Sequence, residues 1–215
     1  MQNKNRIEMI VFDMDGTIVQ YDNRFKSSWH ALFDAYGMGE IVTKLEDENY
    51  LKKGKEKEWA KKQASILKDK EVEKAISFLY PIPYSKGTEK FLESTKGKIK
   101  RGLLTTGIDV VAEEITKRFE LEYSKYNILH RKDGKFTGKL TYIVPLWTKH
   151  YFLDEICKKF KINLENICYV GDNENDISCF TIVGLPIAFD PKTEETARAA
   201  KYIIKDFEEL NKILK

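Results

Sequence analysis

The chain has 215 residues, 42% hydrophobic and 33% charged, which suits a globular protein with one large domain or a main domain carrying an insertion. Its 37 Lys and Arg nearly balance 34 Asp and Glu, and no basic run is interleaved with aromatics, so a nucleic-acid partner is not expected. No apolar run approaches the ~20 residues that span a bilayer, and the polar start Met1 to Arg6 does not read as a signal peptide; the expectation is a cytoplasmic protein with no membrane partner.

Residues 6–12 form a short, β-prone apolar run that predicts a central strand of a parallel sheet ending at Asp13. Residues 20–80 give no strand signal and carry helical patterns at 25–36, 56–67 and 71–79, which predicts a small all-helical cap domain. Gln20 to Asn23 is its outgoing linker, and Pro81 and Pro83 mark the return to the main domain. Trp29, Phe33 and Tyr36 recur at three- and four-residue steps, which predicts that the insertion has a core of its own.

Further strand-like runs fall at 102–105, 126–129, 167–170, 186–189 and 202–204, most of them separated by helical stretches. This alternation predicts an α/β fold, a doubly wound parallel sheet of Rossmann-like type built from residues 1–19 and 81–215, with reactive groups at the carboxyl ends of its strands. Asp133-Gly134 between strand-like flanks predicts a β-hairpin flap. Cys157, Cys168 and Cys179 have neither zinc-finger nor redox spacing and read as packing thiols.

The first strand delivers two carboxylates, Asp13 and Asp15, one residue apart before Gly16 and Thr17. Nearby anions raise each other's cost of ionisation, so the pair needs a cation, a shared proton, or both. One carboxylate can attack phosphorus while the other handles protons, with a hard divalent cation offsetting the charge. Gly16 lets the backbone turn, and Thr17 can fix the loop by a local hydrogen bond.

Four separated elements then line up: Asp13-Met14-Asp15-Gly16-Thr17, Leu103-Leu104-Thr105-Thr106-Gly107, Lys149, and Gly171-Asp172-Asn173-Glu174-Asn175-Asp176. Together they resemble the motifs of the haloacid dehalogenase superfamily of phosphotransferases. Their order, and the 23 residues from Lys149 to Asp172, are similar to its phosphoserine phosphatase branch. The resemblance implies a magnesium-dependent phosphomonoesterase that hydrolyses a small phosphorylated metabolite through an aspartyl-phosphate intermediate. It implies Asp13 as nucleophile, Asp15 as general acid and then base, and Thr105, Thr106 and Lys149 as phosphate-binding groups. Asp13, the carbonyl of Asp15 and Asp172 would hold Mg²⁺. Thr17, Asn175 and Asp176 would support them, Asn175 by steadying the loop or capping the next helix, and Asp176 by joining the metal through water or by orienting Lys149.

Departures from that branch fall where a leaving group would be recognised. Its phosphoserine-specific members carry a cap glutamate and a cap arginine; the nearest residues here are Asp22 and Gln63, and glutamine has no cationic fork for a carboxylate. Thr105-Thr106-Gly107 stands where those members tend to have Ser-Gly-Gly. Phosphoserine is thus one candidate among small phosphorylated metabolites, with Asp22, Trp29, Lys62 and Gln63 as candidate cap contacts beside Ser27 and Ser28. The rival reading is a phosphate-binding or phospho-acceptor signalling protein without steady turnover. Receivers of that kind place the acceptor aspartate on a later strand than their acidic pair, whereas Asp13 ends the first predicted strand here.

Overall fold

The computed structural model describes residues 6–21, 25–50 and 52–214. At its centre lies β1 (Met9–Phe12), buried at every residue. Ile10 and Phe12 enter the core on one face of the sheet, and Met9 and Val11 enter the core on the other. A strand covered on both faces requires such an apolar run without polar alternation.

β1 pairs in parallel with β2 (Lys100–Ile108) on one side and β5 (Ile167–Gly171) on the other. Beyond β2 lies β3 (Tyr123–Lys132), and β4 (Lys135–Thr141) closes that edge antiparallel. β6 (Leu185–Phe189) and β7 (Tyr202–Ile204) extend the other side, giving the order β4-β3-β2-β1-β5-β6-β7. The chain builds outward from β1 in one direction and then resumes on its other flank. Ligands of such sheets gather beside this reversal, at the carboxyl ends of the strands.

Four helices, α1 (Ser28–Asp34), α2 (Gly39–Asn49), α3 (Glu56–Ile66) and α4 (Val72–Leu79), separate β1 from α5 (Thr88–Thr95). The remaining helices are α6 (Asp109–Arg118), α7 (Tyr151–Phe160), α8 (Ile177–Phe180), α9 (Glu194–Ala199) and α10 (Leu210–Ile213). The chain leaves for and returns from the helical segment side by side: Gln20 N–H donates to Pro83 O and Ser85 N–H to Ile18 O, each at 2.9 Å.

Three features depart from the sequence reading. The helical segment does not have a separate core, because Trp29, Phe33, Val42 and Leu67 belong to the same apolar cluster as Ile10 and Phe12. Helix α2 has a weak signature, since only Val42 and Leu45 are buried along it and no side chain caps its start. The hairpin forms at Asp133-Gly134, both at positive φ (50° and 73°) as a type I′ turn requires, but it is anchored rather than free. Phe136 exchanges backbone hydrogen bonds with Asp69 and Lys70, and Val72 N–H donates to Gly134 O, each at 2.9 Å. Phe136 itself is buried.

Strand β1 is locked from its far face by rings. Phe207, fully buried, lies with its ring centroid 5.8 Å from Phe12, 6.0 Å from Phe91 and 4.8 Å from Phe189. No helix among the described residues is long and apolar enough to cross a membrane. Phe207→Ala is expected to cost about 3–5 kcal/mol through the cavity it leaves, read as a lower urea midpoint at unchanged m-value.

Candidate active site

The carboxyl ends of β1 and β5 bring Asp13 and Asp172 together, both almost fully buried. Asp13 N–H extends the sheet by donating to Val170 O at 2.9 Å. The loop after β1 can pass this close to Asp172 only because residue 16 is glycine at φ +84°: a Cβ there would lie 2.1 Å from Asp172 Oδ2. Thr17 does more than fix its own loop. Its hydroxyl donates to Asp172 Oδ1 at 3.1 Å, crossing from the first motif to the last.

Lys149 and Asp176 are both fully buried, with Nζ 2.7 Å from Asp176 Oδ1. The same oxygen accepts from Tyr169 OH at 2.9 Å, while Oδ2 accepts from the backbone N–H groups of Asp172 (3.1 Å) and Asn173 (3.3 Å). Asp176 is thereby filled as an acceptor and orients Lys149, whose Nζ also sits 3.0 Å from Asp13 Oδ1. That second contact is an ion pair outside hydrogen-bond geometry, so Asp13 Oδ1 is a buried acceptor with no hydrogen-bond donor. Burial works against the lysine's charge, yet Asp13 and Asp176 outweigh it and hold its pKa above the ordinary lysine value. Burial and neighbouring carboxylates push Asp13 and Asp172 upward instead.

Carboxylate oxygens of Asp13, Asp172 and Asp176 lie within 4.8 Å of one another, faced by the single buried ammonium of Lys149. The excess negative charge, the all-oxygen donor set and the orphaned Asp13 Oδ1 fit a hard divalent cation. With Asp176 already filled, Asp13 and Asp172 are the side chains with capacity left for it.

Asp15 points elsewhere. Its Oδ1 accepts from Ser28 N–H at 2.9 Å and its Oδ2 from the Ser28 hydroxyl at 2.7 Å, so the first turn of α1 clasps it. Burial, only partly countered by these bonds, pushes its carboxyl up to about 6. The fit around the clasp is tight, since a Cβ at Gly107 would lie 2.9 Å from Asp15 Oδ2 and 3.1 Å from Ser28 Oγ. Beside it, the indole N–H of Trp29 donates to Thr106 O at 3.4 Å.

Thr105 lies inside β2 rather than at its end, and its hydroxyl accepts from Gly107 N–H at 2.9 Å, leaving its own O–H to donate. A cavity of about 810 Å³ opens from the acidic cluster toward the helical segment. Asp13, Asp15, Thr106, Asp172 and Asn175 line one end of it, and Trp29 and Gln63 the other part. Lys62 is exposed on α3 and does not line it, because the helix turns Gln63 inward instead. Asp22 lies outside the described residues. Asn175 is buried but caps no helix: Asn173 takes that position, its side chain accepting from Glu174 N–H at 2.9 Å.

Sequence reasoning missed two supports. Tyr169 had no signal beyond its strand. Asn127 had one, as a polar residue within the apolar run 126–129. Its amide donates to Thr106 O at 2.9 Å and accepts from the Ile143 and Val144 N–H groups at 2.7 and 3.0 Å, tying β2 to the segment that leads to Lys149.

A model of the haloacid dehalogenase-like hydrolases matches residues 7–181. The phosphoserine phosphatase of Methanocaldococcus jannaschii is 31% identical over 218 residues, covering 100% of both chains. Among solved structures, a phospho-aspartyl intermediate analogue of phosphoserine phosphatase is similar with a TM-score of 0.83 at 30% identity, over 98% of this chain and 100% of that one. A substrate-bound phosphoserine phosphatase complex has the same TM-score at 29% identity, over 98% and 99%. With the model spanning most of its length, the chain belongs to the haloacid dehalogenase-like hydrolase family.

Proposed function

We propose that the chain is a magnesium-dependent phosphomonoesterase in which Asp13 is the nucleophile and Asp15 the proton carrier, acting on a small phosphorylated metabolite. The observation that carries this reading is the floor of the cavity, lined by Asp13 and Asp172, with the buried Lys149 ammonium 3.0 Å from Asp13 Oδ1 and Asp15 held apart by Ser28. The names of the relatives bring phosphoserine forward as a candidate substrate. Residues 20–80 serve as the cap over a core of residues 1–19 and 81–215.

Phosphoryl transfer depends mainly on positioning and charge. Asp13 attacks phosphorus in line, and the ester oxygen leaves with a proton from Asp15. Lys149, held by Asp176, which Tyr169 in turn holds, meets the transferred group's equatorial oxygens together with the Thr105 hydroxyl and Thr106. Water then cleaves the aspartyl phosphate, giving its proton to Asp15. Mg²⁺ bound by Asp13, the Asp15 carbonyl and Asp172 would neutralise charge, letting an anionic ester approach an anionic nucleophile.

The two acids are separated by environment, as paired catalytic carboxylates commonly are. Burial raises both carboxyls above their ordinary value; at Asp13 the buried Lys149 ammonium opposes that rise, whereas at Asp15 the hydrogen bonds from Ser28 do so. The clasp by Ser28 also keeps Asp15 from turning into the acidic cluster.

Release of inorganic phosphate from an aryl phosphate tests the reading: native chain with Mg²⁺ turns over, chelator stops it, and Asp13→Asn lowers kcat on the order of a thousandfold or more. Absence of magnesium-dependent turnover from folded native protein rejects it. Mg²⁺ is expected to raise the thermal midpoint of the native chain and not that of Asp172→Asn, since only a bound ligand stabilises the folded state. Ser28→Ala removes one charge-assisted hydrogen bond to Asp15 and is expected to lower kcat about 10- to 100-fold with KM little changed; steady-state kinetics at saturating Mg²⁺ checks the split.

A further inference from the structure

Asp15 is held by the first turn of α1, so the pose of that turn decides where its carboxyl points. Consecutive residues of the turn are each tied to something outside it. Ser27 stands at the N-cap in extended backbone, where a serine hydroxyl ordinarily accepts from a backbone N–H two or three residues on. It makes no such bond; its Oγ lies instead 3.0 Å from Nδ1 of His30, one turn along the helix. Ser28 follows, giving both its N–H and its hydroxyl to Asp15, and Trp29 then donates to Thr106 O at 3.4 Å.

His30 is buried, and its other ring nitrogen, Nε2, lies 3.0 Å from Glu46 Oε2 on α2, a contact outside hydrogen-bond geometry. The same carboxylate oxygen lies 3.0 Å from Lys26 Nζ. Glu46 thus brackets the turn, meeting the residue before Ser27 and the residue two after Ser28. Burial works against its charge, yet His30 and Lys26 outweigh it and hold its carboxyl below the ordinary glutamate value. The Lys26 side chain is 62% exposed, so its pair contributes little, and the sheltered contact is the one with His30. A carboxylate beside Nε2 favours the ring proton on that nitrogen, which leaves the Nδ1 lone pair of a neutral ring to accept from the Ser27 hydroxyl.

Resting on the phosphatase reading, we propose that His30 and Glu46 are positioning residues for proton transfer: through Ser27 they fix the first turn of α1 in the pose in which Ser28 aims Asp15 at the ester oxygen. Neither residue touches the reacting atoms. As the bond from phosphorus to the ester oxygen breaks, its electron pair stays on that oxygen and the proton arrives from Asp15. The contribution of a well-placed acid therefore grows with the basicity of the leaving oxygen. Phenolate leaves poorly without the proton, whereas 4-nitrophenolate carries the charge on its own. Loss of aim is accordingly a selective loss on the basic leaving group, which a loosened fold or an altered cavity wall would not produce for two aryl esters of similar shape.

The test compares kcat/KM for phenyl phosphate and 4-nitrophenyl phosphate at saturating Mg²⁺ in the native chain, His30→Leu, His30→Asn, Glu46→Gln, Ser28→Ala and the Ser28→Ala/His30→Leu double variant. His30→Leu is expected to lower the phenyl-to-nitrophenyl ratio about tenfold and Glu46→Gln about threefold. His30→Asn, whose amide reaches the place of Nδ1, is expected to keep more of the ratio than His30→Leu. In the Ser28→Ala background, His30→Leu is expected to lower the ratio by less than about twofold further, because both act through one clasp. Both esters are read on the same sample, so a fraction of unfolded protein lowers both rates and leaves their ratio. A native ratio in both His30→Leu and Glu46→Gln overturns the proposal and leaves the phosphatase reading standing, and so does a full tenfold loss from His30→Leu in the Ser28→Ala background. No hydrolysis of either ester by the folded native chain rejects the phosphatase reading and this inference with it.

Discussion

The site depends on keeping a fully buried lysine ammonium charged. Lys149 is fully buried between Asp13 and Asp176, and removing either carboxylate would leave part of its charge uncompensated. Breaking a buried pair of this kind costs about 3–5 kcal/mol, far more than a surface ion pair contributes. The protein meets that demand by filling Asp176 with four donors, two from backbone and two from side chains. The result is a cation whose position is set by strand β5 and the turn after it.

From this constraint the division of labour among the acids follows. Asp176 holds Lys149 and has no acceptor capacity left over. Asp13 shares Lys149 but keeps an oxygen without a hydrogen-bond donor, and Asp172 is held by Thr17 alone among the side-chain donors of the described residues. Asp15 is drawn out of the cluster by α1, the first helix after β1. In the proposed mechanism, Asp15 as the acid is thus positioned by helix α1 while Asp13 as the nucleophile is positioned by the sheet. The two meet only because the loop after β1 turns sharply at Gly16 against Asp172.

Much of this was legible in the sequence because sheet chemistry is local. Strand ends at Asp13 and Asp172 could be read from apolar runs that stop abruptly, and the Asp133-Gly134 turn from its own dihedral demands. What was not legible depends on side chains that meet across long separations. Thr17 reaches a residue 155 positions away, and Trp29 reaches Thr106 across 77. The weak apolar stripe of α2 likewise gave no hint that Glu46 on it would pair with Lys26 and meet His30, from the lead-in and the body of the neighbouring helix. The hairpin's anchoring was hidden for a similar reason, since it rests on backbone bonds to a loop more than sixty positions earlier, at Asp69 to Val72.

These long-range contacts also separate the floor of the cavity from its far wall. Charge balance at the floor involves β1, β2, β5 and the segment around Lys149, and a change there disturbs the Lys149 pair directly. The far wall belongs to α1, α2 and α3, where a substitution such as the one that would restore a cation at Gln63 alters which leaving group is neutralised without touching that pair. Ser28 is the exception, because it stands on α1 yet holds Asp15. In the proposed mechanism, movement of α1 would therefore disturb the hold on Asp15 and the cavity wall together, whereas a change on α3 would alter the wall alone. Gln63 sits on the helix free to change, and the Ser28 clasp on the helix that is not.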